Sequence, residues 1–84
     1  MEKSILLVLL GNRVGTAVKV QEVLTTMGCF IKTRLGIHDG TPDTCTNTGL
    51  LILEIIGTEE EKKKLVGDLK KIKDVKVKLV ELAL

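Results

Sequence analysis

"SILLVLLGNRVGTAVKVQEVLTTMG", residues Ser4–Gly28, changes its period halfway along. Up to Leu10 it is apolar on both alternating faces, with Ile5, Leu7 and Leu9 on one and Leu6, Val8 and Leu10 on the other. That pattern belongs to a central strand covered on two sides. "GNRVG" breaks the run. From Thr16 onward Ala17, Val20, Leu24 and Met27 recur at the spacing of one helical stripe. Gly28 stands where a C-cap glycine would end the helix.

Reading outward, "CFIKTRLGIH" alternates again. Ile31, Thr33, Leu35 and Ile37 face one way, and Lys32, Arg34 and His38 the other, as in a half-covered strand. "HDGTPDTCTNTG", residues 38–49, is rich in turn-forming residues. "LLILEII" is a second doubly apolar strand, interrupted only by Glu54. Thr58 followed by Glu61 is a capping box. Glutamates fill the next turn and lysines the last, which suits the helix dipole. Leu65, Val66, Leu69 and Ile72 form that helix's buried stripe. Lys62, Lys63, Lys64, Lys70 and Lys71 read as its solvated face. "VKVKLVEL" closes the chain as a strand whose Lys76 and Lys78 guard an exposed edge. The order βαββαβ predicts a ferredoxin-like α+β sandwich: a four-stranded antiparallel sheet with two helices on one face. Right-handed crossovers place the first and third strands at its centre.

Residues 1–84 suffice for one domain with a thin core. Hydrophobic residues make up 44% but aromatics 1%, so the core must be aliphatic. The net charge of +2 argues against direct nucleic-acid binding, and without aromatics there is no platform for stacking bases. "MEKSILLVLLGN" superficially resembles a signal peptide, but its apolar run is too short for one and far short of a bilayer span. Cys29 and Cys45 form no C-x-x-C. The expectation is a reduced cytoplasmic chain, not membrane-bound, with no cofactor and no enzymatic activity, since no catalytic set is written in it.

The two central strands are apolar on both faces, yet the helices bury only one. Leu51, Leu53 and Ile55 are expected to meet the helices. Leu50 and Ile52 then face the open side beside three aliphatic residues of the first strand, framed by Lys32, Arg34 and Lys76 or Lys78. Burying five such side chains is worth on the order of 10 kcal/mol, which rivals the stability of a whole domain. A homodimer, or a dimer of dimers, follows. Leu50, Ile52, Glu54 and Arg34 are its expected interface, with Glu54 pairing with Lys32 or Arg34.

The "GNRVG" loop ends at a helix N-terminus, where backbone N–H groups suit an anion and Arg13 adds a charged fork. The plainer reading is that Gly15 permits a tight turn. "NRVGTAVKVQEVLTTMGCFI" resembles the opening of ACT domains, with Asn12, Gly15 and Gly28 on the pattern's marked positions. "LVGDLKKIKDVKVKLVEL" and "IKTRLGI" resemble more narrowly the small ACT-like iron-only hydrogenase system regulators. The resemblance covers most of the chain. It implies association through sheets and a small effector bound at an interface near the first loop. Asn12, Arg13, Val14 and Gly15 would line that pocket. The usual acidic residue at the start of the loop is Asn12 here. A module without an attached domain would act through a separate regulated protein.

His38, Asp39, Asp43 and Cys45 are metal-ligand types in one loop, but their spacing matches no compact motif. Subunit symmetry could complete such a site. A metal-binding sensor or carrier using His38, Asp43 and Cys45 is therefore the alternative function. A Cys45–His38 nucleophilic pair lacks a rigid frame. The leading reading of the loop is a hairpin connection.

Overall fold

The computed structural model describes residues 1–38 and 48–84. Its elements are β1 (Glu2–Leu10), α1 (Thr16–Thr26), a 3-10 turn (Gly28–Phe30), β2 (Ile31–His38), β3 (Gly49–Ile55), α2 (Glu59–Lys70) and β4 (Val75–Ala83). The sheet runs β2-β3-β1-β4, with every neighbouring pair antiparallel. This is the ferredoxin-like arrangement, with the two doubly apolar strands at its centre.

The core lies between the sheet and the helices. Leu6, Val8 and Leu10 of β1 and Leu53 and Ile55 of β3 meet Val20, Leu24 and Met27 from α1 and Leu65 and Leu69 from α2. Leu6 pairs with Leu53 and Val8 with Leu51, so register sets these aliphatics on one face. Thr58 caps α2 as its spacing predicts. Its hydroxyl accepts from the Glu61 N–H at 3.2 Å, and the Glu61 carboxylate accepts from the Thr58 N–H at 2.8 Å.

Three expectations are corrected. Gly28 is not a left-handed C-cap; α1 ends at Thr26 with Met27 as its C-cap. The Phe30 N–H bonds the Met27 carbonyl at 3.0 Å, so the chain tightens into a 3-10 turn that carries Phe30 onto the core. Lys62 is not on a solvated face. It is 8% exposed and donates to Ser4 Oγ at 2.8 Å, with Glu59 at 3.5 Å and Glu81 at 3.8 Å. Arg34 is not on the open sheet face. A bulge at Lys32 lets Ile31 pair with Ile55 while Thr33 pairs with Glu54, so two steps of β2 oppose one of β3. The extra residue inverts the alternation that follows. Arg34 points beneath α1 and bonds Gln21 there.

Candidate functional site

The open face of the sheet has an aliphatic centre and polar residues around it. Ile5, Leu7 and Leu9 of β1 stand opposite Glu54, Ile52 and Leu50 of β3. The bulge brings Leu35 and Ile37 of β2 beside Ile52 and Leu50. Val80 pairs with Ile5, and Leu82 with Lys3, on the β4 side. Leu35 is 53% exposed and Leu9 49%. Glu54 is the acidic residue of this patch. It binds Lys3 at 3.1 Å and Lys32 at 4.0 Å, and Lys76 and Lys78 stand across from Leu9 and Leu7. Leu50, Ile52 and Glu54 therefore share this surface as expected, while Arg34 does not. Leu35 and Ile37 are functional candidates that the sequence pattern assigned to the other face, because a bulge leaves no mark in hydrophobic periodicity.

The first loop lies at one end of the sheet. Asn12, Arg13, Val14 and Gly15 are all exposed. Gly15 has φ of 85°, the left-handed conformation that a glycine adopts without strain. The loop is tied to the start of β4. Asp74 Oδ2 accepts the Arg13 N–H at 2.9 Å, and the Asp74 carbonyl accepts the Gly11 N–H at 2.9 Å. Thr16 is buried, and its hydroxyl donates to the Lys73 carbonyl at 3.1 Å. A backbone donor expected to meet an anionic effector is thus already engaged by a side chain of the protein. Asp74 carried no sequence signal for this role, because the contact joins residues sixty-one positions apart.

Two concavities flank this end. One, of about 420 Å³, is lined by Leu9, Gly11, Asp74 and Lys76. The other, of about 230 Å³, lies between α1 and the ends of β2 and β3, with Arg34, Gln21 and His38 among its lining residues. Leu10 and Thr48 border both. Among the described residues no three His, Cys, Asp or Glu side chains gather in a group able to hold a metal ion. His38 ends β2, and Asp39, Asp43 and Cys45 lie outside the described residues. Cys29 is exposed. Among the described residues no helix is long and apolar enough to cross a membrane.

No protein-family model matches the chain, and no curated protein matches it. Solved structures do. An uncharacterized protein of Thermotoga maritima, TM1266, is similar over 99% of this chain and 100% of its own, with a TM-score of 0.82 at 24% identity. The apo form of CPII from Thiomonas intermedia K12, a nitrogen regulatory PII-like protein, is similar over 100% of this chain and 92% of its own, with a TM-score of 0.60 at 11% identity. The same protein bound to ADP, AMP and acetate gives a TM-score of 0.53 at 12% identity, over 99% of this chain and 90% of its own. At these identities the likeness is one of fold, and the chain shares its ferredoxin-like architecture with small proteins that include a PII-like regulator.

Proposed function

We propose that this chain is a small, non-enzymatic ACT-like regulatory module of the kind represented by the iron-only hydrogenase system regulators. It self-associates through the open sheet face, takes a small effector at the sheet end bordered by the 11–16 loop, and acts on a separate partner protein. The open face carries this reading. Strands of up to nine residues, about 3.3 Å per residue and about 4.8 Å apart, give a surface of roughly 30 by 19 Å. That approaches the scale of about 800 Å² per partner in a standard interface once side-chain relief is counted. An apolar centre with a charged rim is the usual anatomy of such a contact. A second copy of the chain supplies the matching surface, because a two-fold axis sets like patches against each other.

The effector part of the reading is supported by the resemblance of the 12–31 segment to ACT domains and by the concavities beside that loop. A PII-like protein of the same fold is known with ADP, AMP and acetate bound. Light scattering tests assembly: the wild type is expected to be a dimer or tetramer at tens of micromolar, and a persistent monomer refutes self-association. A thermal-shift screen of amino acids, nucleotides and organic acids tests effector binding. Turnover of a small substrate by the purified chain would defeat the non-enzymatic part.

A further inference from the structure

We infer that the cleft between α1 and the β2–β3 end is the effector site, and that it takes a small anion bearing a carboxylate or phosphate on a short aliphatic stem. This rests on the effector-binding part of the proposed function. It moves the anion seat away from the first loop, where Asp74 already engages the Arg13 N–H.

The cleft exists because small residues meet where a core layer would otherwise close. After the bulge, the helix side of β2 presents Arg34, Gly36 and His38 in alternation. Gly36 leaves a gap between the two cationic or polar side chains. A Cβ there would meet only Leu51 Cδ2, at 3.4 Å, so packing does not demand glycine at this position. Gly49 on β3 is required, since a Cβ would lie 2.6 Å from the Ile37 carbonyl. Ala17 faces them from α1. The resulting volume of about 230 Å³ is below the roughly 300–1,000 Å³ of sites for drug-sized ligands, which restricts the occupant to a few carbons.

The lining chooses the charge. Leu10 and Leu51 supply an apolar floor. Arg34 bonds the Gln21 side-chain oxygen, which uses one of five guanidinium donors and orients the planar fork. A fork of this geometry meets carboxylate or phosphate in bidentate fashion. His38 adds a second polar side chain on the same rim. Among the described residues the cleft has no aspartate or glutamate in its lining, and none forms an ion pair with Arg34. Lys3, Lys32, Lys62, Lys64 and Lys71 have such a partner, whereas Arg34 shares its lack of one with other exposed cations and is set apart by its place in the cleft lining. A cation bonded to Gln21 beside an apolar floor, with no acidic partner among the described residues, suits an anion from solution.

The test is an amide chemical-shift titration of the full chain with inorganic phosphate, succinate and glycerol 3-phosphate, each into the tens of millimolar. Saturable shifts at Ala17, Gly36 and Gly49 are expected with at least one of the three. Arg34→Met should weaken that binding about tenfold or more. Gly36→Val, which fills the cleft without altering charge, should do the same, and Lys70→Ala, which removes an exposed charge on α2 outside the cleft lining, should leave binding unchanged. Arg34 is exposed, so Arg34→Met is expected to keep the native amide dispersion and decides the matter alone if Gly36→Val unfolds. Saturable binding unmoved by Arg34→Met overturns the cleft but leaves a ligand-binding module standing. No saturable shift with any of the three anions overturns the anion assignment, and the wider metabolite screen then judges the effector reading separately.

Discussion

The carboxylate of Asp74 accepts the backbone N–H of Arg13 at 2.9 Å, and Asp74 itself holds φ at 66°. One residue therefore both turns the chain into β4 and anchors the first loop. Left-handed backbone disfavours most side chains by about 1–2 kcal/mol, with Asn and Asp among those that tolerate it best. Asp74→Ala should lose the hydrogen bond and add strain, for a destabilisation of about 1–3 kcal/mol. Asp74→Asn, which keeps an acceptor and tolerates the conformation, should cost less than about 1 kcal/mol. Urea denaturation of the two variants checks the order. Equal losses would mean that the side chain does not anchor the loop.

Ile52 and Leu53 are adjacent on β3 and face opposite sides of the sheet. Leu53 is wholly buried in the core, so Leu53→Ala should cost about 2–5 kcal/mol of fold stability. Ile52→Lys should leave the fold intact and dissociate the assembly, because an unpaired charge would be buried at the centre of the contact. Light scattering together with circular dichroism separates the two effects. A folded Ile52→Lys variant that keeps the wild-type mass would refute the sheet-face contact. The rim carries Lys3 and Lys32 beside Glu54 and Lys76 and Lys78 on β4, so moderate salt should screen rim repulsion and tighten the wild-type assembly.

Lys62 and Ser4 make a polar contact at the edge of the core, 2.8 Å apart, and Ser4 also donates to Glu81 at 3.3 Å. Lys62→Ala should remove both the hydrogen bond and the packing of the long stem, for a loss of about 1–3 kcal/mol. Lys62→Met restores the stem and should recover part of that loss. A shift in urea midpoint that is the same for both variants would show that the stem contributes nothing.

The Lys64 ammonium donates to Asp68 at 2.8 Å and, with Lys71 nearby, holds that carboxyl below its ordinary value of 3.8. The folded state therefore favours the ionised form. The contribution is present above the ordinary value and disappears as pH falls through the lowered one. A carboxyl-carbon titration by NMR should give a midpoint below 3.8, and Lys64→Met should raise it. A midpoint that does not respond to Lys64→Met would show that the pair does not persist in solution.

Much of the architecture was legible in local patterns. The two doubly apolar strands, the α1 stripe of Ala17, Val20, Leu24 and Met27, and the Thr58–Glu61 box each depend on neighbours a few residues apart, and the structure carries all three. The apolar open face also followed, since the crossovers of this topology put both helices on one side of the sheet. Leu50, Ile52 and Glu54 were placed on it correctly.

What periodicity could not supply lay in contacts distant along the chain. Lys62 sits in a run of lysines, and only the arrival of Ser4 and Glu81 beside α2 makes it a buried donor. Asp74 carries no local signal for its role, and only the fold sets it against Arg13. The bulge at Lys32 arises from pairing between β2 and β3, and one extra residue there moved Arg34 to the helix side and Leu35 and Ile37 to the open face. The sequence by itself determined the elements, their order and the sheet's surplus apolar surface, because these follow from spacing along the chain. Only the tertiary structure decided which side each β2 residue faces and which charges are paired, because register and long-range contact are properties of two segments together.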